Sequence, residues 1–180
     1  MDHAESWHPD VLGEGFEQLT LPLGTDEEGE LVATLVRYRP KAASWFARLW
    51  EGDRGAASGT DVLYVHGWSD YFFNPEIARF WAGAGARFYA LDLRKYGRSL
   101  RPGQTPGYVT NLADYDADIE AALAAIGQGR ADAAGAGAGG RRPLILMGHS
   151  TGGLTLSLWC VRNPGRAAAL VLNSPWLEFQ

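Results

Sequence analysis

One cysteine among 180 residues excludes an internal disulfide and any thiol-based metal cluster. Cys160 falls at an apolar position of an expected helix, where it reads as a small core residue. Long apolar runs are missing as well. No stretch approaches the roughly 18 residues needed to cross a bilayer. The start, Met1-Asp2-His3-Ala4-Glu5-Ser6, has no positive segment ahead of an apolar one, so no leader is expected and a cytoplasmic setting follows. Basic charge is in deficit: 16 Lys and Arg against 21 Asp and Glu give a formal net charge of −5. That balance offers no stripe for nucleic acid and no polybasic anchor for an anionic membrane. Histidine is scarce, four in all, and none lies after His149; Glu178 is the only acidic residue after Ser150.

What remains is a chain of 46% apolar content, the size and composition of one globular domain. Residues 1–15 are acidic and aperiodic and read as a weakly ordered lead-in. Phe16 to Leu23 and Leu31 to Tyr38 alternate in polarity around an acidic turn, the pattern of an antiparallel hairpin at a sheet edge. Trp45, Phe46, Leu49 and Trp50 suggest a short amphipathic turn ahead of a Gly/Ala/Ser-rich loop.

The apolar runs at Val62–Val65, Leu144–Met147 and Ala168–Leu172, and the stretch Phe88–Leu93 with Asp92 inside it, read as strands, Val62–Val65 and Phe88–Leu93 being buried on both faces. Between them lie three helical patterns. The first starts at Pro75 behind the cap Asn74 and runs to about Gly83. The second is capped by Asn111 and carries Leu112, Tyr115, Ile119, Leu123 and Ile126. The third follows Ser150, is lined by Leu154, Leu158 and Val161, and stops at Asn163-Pro164. Asp114, Asp116, Asp118 and Glu120 near the start of the second read as a solvated face rather than a metal cluster. This alternation predicts an α/β fold: a mainly parallel sheet with helices on both faces and an N-terminal antiparallel hairpin. A literal G-x-G-x-x-G at Gly135, Gly137 and Gly140 follows a helix and precedes a strand. That is the wrong context for a dinucleotide fingerprint, and the segment reads as a loop.

The strand at Leu144 runs into Gly148-His149-Ser150-Thr151-Gly152, a G-x-S-x-G pentapeptide. A serine held at a strained strand-to-helix corner leaves no room for side chains on either side, hence Gly148 and Gly152. Ser150 then stands exposed at the carboxyl end of its strand, where open sheets of this kind bind ligands. A serine needs a base and oxyanion donors before it attacks a carbonyl. The backbone N–H of Thr151, at a helix N-terminus, is one donor, and that of Trp68, after the strand ending in His66-Gly67, is placed for the second. Trp68, Tyr71, Phe72 and Phe73 offer either an apolar acyl-binding wall or ordinary core.

Four pieces in order, Val65-His66-Gly67-Trp68, Asp92-Leu93-Arg94-Lys95-Tyr96-Gly97-Arg98-Ser99, Gly148-His149-Ser150-Thr151-Gly152-Gly153 and Asn173-Ser174-Pro175, resemble the α/β-hydrolase superfamily. Within it the chain is similar to the lysophospholipase, monoacylglycerol-lipase and S33 serine-aminopeptidase-like group. The resemblance covers roughly residues 16–175 and departs at Lys95, where relatives commonly have glycine. It implies Ser150 as nucleophile and the Trp68 and Thr151 N–H groups as the oxyanion hole. It also implies that His149 turns away from Ser150 and that His66 shapes the oxyanion loop. The expected substrate is a small molecule, an acyl ester, with neither metal nor cofactor. A serine peptidase of the same fold, or a truncated, inactive binding protein, are the alternatives. Epoxide and haloalkane hydrolases are disfavoured, since those relatives carry an aspartate nucleophile. The superfamily's triad runs Ser, Asp or Glu, then His. With neither partner after Ser150, residues 16–180 are expected to be the N-terminal part of a hydrolase domain, inactive alone and left with a bare strand at the sheet edge.

Overall fold

The computed structural model describes residues 6–40, 55–129 and 142–177. The expected aromatic turn around Trp45 and the glycine triplet at Gly135–Gly140 lie outside them. Seven strands form one sheet: β1 (His8–Pro9), β2 (Phe16–Asp26), β3 (Gly29–Tyr38), β4 (Asp61–Val65), β5 (Arg87–Asp92), β6 (Leu144–His149) and β7 (Ala169–Asn173). Their spatial order is β1-β2-β3-β5-β4-β6-β7. The sheet is mixed, the expected parallel part being continued by the antiparallel strands of the N-terminal hairpin. β1, β2, β3 and β5 pair antiparallel in succession, and β5, β4, β6 and β7 pair parallel. The hairpin's second strand goes straight onto β5, which extends the antiparallel half into the middle of the sheet.

Side-chain alternation along the strands separates two cores. On one face Leu63, Val65, Leu91 and Leu146 pack against α2 (Tyr115–Ala125) and α3 (Thr151–Arg162), through Ile119, Leu123, Leu156 and Trp159. On the other, Val62, Tyr64, Phe88 and Ala90 pack against α1 (Pro75–Gly83) through Ala78. Helices therefore cover both faces. Asn74 caps α1, its side-chain oxygen accepting from Glu76 N at 3.2 Å, with Pro75 in the first turn. Asn111 caps a short 3-10 turn, Leu112–Asp114, that leads into α2.

Three expectations are corrected. Residues 6–15 belong to the fold: β1 pairs with β2, and Asp10 is buried with its N–H on Phe16 O at 3.0 Å. Their aperiodicity reflects a two-residue strand and tight turns, too short to leave a periodic trace. The acidic run of α2 is not one solvated face, because residues two apart on a helix point in nearly opposite directions. Asp118 faces inward and is fully buried, accepting from Arg94 N and Nε, both at 2.7 Å. Asp116 and Glu120 reach across to Arg162 and Arg166, at the end of α3 and just beyond it. Finally, α3 buries Gly152, Gly153, Thr155, Leu156 and Trp159, while Val161 is 79% exposed. The face through Leu154, Leu158 and Val161 lost because the two glycines must press against the sheet, which fixes the rotation of the helix. Cys160 is half-buried against the core, in line with its reading as a small packing residue.

Among the described residues no helix is long and apolar enough to cross a membrane, and no three His, Cys, Asp or Glu side chains converge to hold a metal.

Candidate active site

Ser150 joins β6 to α3 with φ +50° and ψ −118°, backbone that an L-residue occupies only at a cost of about 1–3 kcal/mol. The surroundings hold it there. Its N–H donates to Asn173 O, and its carbonyl accepts from Gly153 N and Trp176 N, all at 3.0 Å. Asn173 ends β7, so the piece Asn173–Pro175, matched in the sequence without a physical reason, is the brace of the turn.

Both flanking glycines are required by space. A Cβ on Gly152 would lie 2.3 Å from His66 O and 2.4 Å from Val65 O; one on Gly148 would meet Gly153 Cα at 2.6 Å. The end of β4 thus lies directly on the first turn of α3, and Gly67 is held against Ser150, where even a methyl would sit 3.1 Å from the serine Cβ. The loop after β4 and the serine turn are brought together as expected. Thr151 begins α3, and the first N–H groups of a helix have no intrahelical acceptor.

His66 is buried and uses both ring nitrogens. Nε2 accepts from Leu93 N at 3.1 Å, which leaves the proton on Nδ1, and Nδ1–H donates to Gly67 O at 2.8 Å. Burial pushes its pKa below the ordinary imidazole value despite the nearby Asp92 carboxylate. A neutral ring therefore ties the loop after β4 to the end of β5. His149 lies on the other side, lining a small cavity with Asp70, Tyr71 and Asn173.

A cavity of about 370 Å³ opens beside the serine turn, with Gly67, Trp68, Thr151 and Thr155 on its near wall. Its far wall is built from residues the sequence reading missed: Tyr96, Tyr108, Val109 and Leu112 from the segment after β5, with Tyr115 of α2 and Trp176. Of the four aromatics after β4, only Trp68 lines it. Phe72 is core on the α1 face, and Tyr71 and Phe73 border the His149 cavity. Burial raises the Tyr96 and Tyr115 phenols above their usual range, so both are neutral at ordinary pH.

Lys95 has φ +60°, the left-handed conformation that favours glycine, so the departure keeps the loop's shape. Its buried ammonium reaches Asp26 at 2.6 Å and Glu28 at 2.5 Å in the β2–β3 turn. Burial pulls its pKa down, and the two carboxylates outweigh that pull, leaving it above the ordinary lysine value. The Lys95 carbonyl accepts from Gly107 N at 2.9 Å, so the same residue braces the far wall of the cavity.

Comparison with solved structures finds this fold in several hydrolases. Acetyl xylan esterase 1 from Thermoanaerobacterium sp. JW/SL YS485 matches over 99% of this chain and 54% of its own, at TM-score 0.55 and 19% identity. An epoxide hydrolase from an endophytic Streptomyces matches over 89% and 37%, at 0.55 and 22%. The haloalkane dehalogenase DatA from Agrobacterium tumefaciens C58 matches over 93% and 44%, at 0.52 and 18%. The chain spans between about a third and just over half the length of these relatives, and at such identities the likeness is one of fold. No curated protein matches. The model of a family described as serine aminopeptidase, S33, matches residues 58–180, which include the loop after β4 and the serine turn. With two thirds of its length in that match and its sheet shared with these hydrolases, the chain belongs to the S33 serine aminopeptidase family of the α/β-hydrolase superfamily.

Proposed function

We propose that the chain carries the nucleophile and oxyanion hole of a serine hydrolase that cleaves carboxylic esters with an apolar acyl group. The supporting observation is the strained, braced conformation of Ser150 between two glycines that admit no side chain. A binding scaffold gains nothing from holding a serine in unfavourable backbone. Ser150 Oγ adds to the ester carbonyl and loses its proton to a base. The Trp68 and Thr151 N–H groups receive the oxyanion, the alcohol departs protonated, and water releases the acid from the acyl-enzyme. The cavity beside Thr151, with its aromatic and aliphatic far wall, suits the acyl chain.

The base is not among the described histidines. His8 is exposed, hydrogen-bonded to Ser6; His66 is engaged at both nitrogens; His149 lines the other cavity. In this reading the base lies outside the described residues. The family match favours a second reading, a peptidase using the same nucleophile.

The test is labelling of the natural full-length product with a fluorophosphonate, followed by turnover of p-nitrophenyl esters and aminoacyl p-nitroanilides. Labelling lost in Ser150→Ala, with esters the better substrates, is expected. Faster anilide cleavage would select the peptidase, and labelling that survives in Ser150→Ala would remove Ser150 from its role.

A further inference from the structure

Asp10 and Arg98 are 88 residues apart and form a two-point ion pair, Arg98 Nε and Nη2 donating to the Asp10 carboxylate at 2.7 and 2.9 Å. The pair is sealed, with the Asp10 side chain 0% and the Arg98 side chain 10% exposed. Asp10 is itself held. Its N–H bonds Phe16 O, its carbonyl accepts from Gly13 N, and its carboxylate also accepts from Leu12 N at 3.0 Å. The remaining guanidinium nitrogen, Nη1, donates to Phe72 O at 3.0 Å and to Asp92 Oδ2 at 2.8 Å. Asp92, equally buried, accepts from Phe72 N at 2.8 Å through its other oxygen and from Arg98 N at 3.1 Å. Both main-chain groups of Phe72 are therefore gripped by a buried charge network whose outermost member is Asp10.

Phe72 lies near the end of the loop that begins at His66-Gly67 and contains Trp68. His66 fixes one end of that loop through Gly67 O, and the Asp10–Arg98–Asp92 network fixes the other. Between the two anchors lie Trp68 to Tyr71, with Ser69 at φ +53°. So short a span, tied at both ends, has little freedom, and the Trp68 N–H lies within it. We propose that Asp10 and Arg98 are positioning residues for the oxyanion loop, an inference that rests on the reading of Ser150 as nucleophile and Trp68 as donor. Asp10 does this from a segment that contributes no residue to the cavity lining. A small displacement of a positioned donor is costly, since a misplacement of about 1 Å can lower a rate about 100-fold.

The test uses Asp10→Asn in the natural full-length product. This variant keeps the shape of the side chain and one acceptor, and it leaves Arg98 and Asp92 as a balanced pair. Arg98→Lys, which keeps the charge but not the fork, serves as a second variant. Both are expected to lower kcat for a p-nitrophenyl ester between about 10-fold and 100-fold with KM nearly unchanged. Amide exchange at Phe72, whose N–H is buried on the Asp92 carboxylate, should quicken about 10-fold or more while the amides of α2 keep wild-type rates. A purely structural ion pair would instead speed exchange throughout and leave kcat per folded molecule intact. Unchanged kcat, or unchanged exchange at Phe72, overturns the proposal. If the wild type shows no Ser150-dependent turnover, the proposed function fails on its own account, and the exchange rates still decide whether Asp10 holds the loop.

Discussion

Replacing Gly152 by alanine tests the close approach on which the site depends. The new methyl carbon would sit 2.3 Å from His66 O and 2.4 Å from Val65 O, about 1 Å inside ordinary contact. Neither atom is the end of a flexible side chain. Both are main-chain oxygens at the end of a strand paired on two sides, so relief requires β4 and α3 to part. Overpacking of a core costs about 1–3 kcal/mol, and with no side chain free to yield the upper end, about 3 kcal/mol, is expected in urea unfolding. The separation would also move Gly67 and Trp68 away from Ser150, and on the proposed function the loss of one oxyanion donor lowers kcat by about 100-fold to 1,000-fold. Gly83→Ala is the control. A Cβ there meets nothing within 4 Å, at the end of α1, and the change should be neutral or stabilise by up to about 1 kcal/mol. A Gly152→Ala protein within about 1 kcal/mol of wild type and fully active would show that the strand and helix are not in this contact.

Two further perturbations separate the corrected expectations from the original ones. Leu156→Ala empties a fully buried position of α3 and should cost about 2–5 kcal/mol, whereas Val161→Ala, largely exposed, should stay within about 0.5 kcal/mol; equal losses in urea unfolding would return α3 to the rotation first expected. Burial pushes the Asp118 carboxyl up to about 6, against the pull of Arg94. The folded state therefore holds this proton more tightly than the unfolded chain does, and the stability linked to it is full below about pH 4 and lost as pH rises to about 6. Relative to Asp118→Asn, the wild type should lose about 3 kcal/mol across that window; a difference that is flat or rises with pH would refute the assignment.

The parts of the molecule with a strong local period were readable. Val62–Val65 and Phe88–Leu91 are unbroken apolar runs because each strand is covered on both faces, and Asn74-Pro75 announces a helix start through its own chemistry. The serine turn was readable because Gly148 and Gly152 stand beside the serine in sequence, although what excludes a side chain at Gly152 is the distant end of β4. What escaped was set by contacts distant in sequence. Nothing in α2 marks Asp118 as the inward carboxylate until Arg94 is placed beside it, and nothing near Asp10 points to Arg98. The rotation of α3 was within reach, since Gly152 and Gly153 can lie only against the sheet, but apolar periodicity was given more weight than close packing. Of the far wall of the cavity, Tyr96, Tyr108 and Val109 lie in turns with no period to read, while Leu112 and Tyr115 were legible only as the apolar face of a helix.

The brace of the serine turn has a consequence for how the protein is made. Ser150 is held by Asn173 O and Trp176 N, main-chain groups that leave the ribosome more than twenty residues after it. Until they arrive, the turn has no reason to leave relaxed backbone, and β6 has only β4 beside it. The strained form of the serine therefore depends on β7 and the residues after it being in place. The strained turn is a feature of the finished sheet and not of the pentapeptide alone.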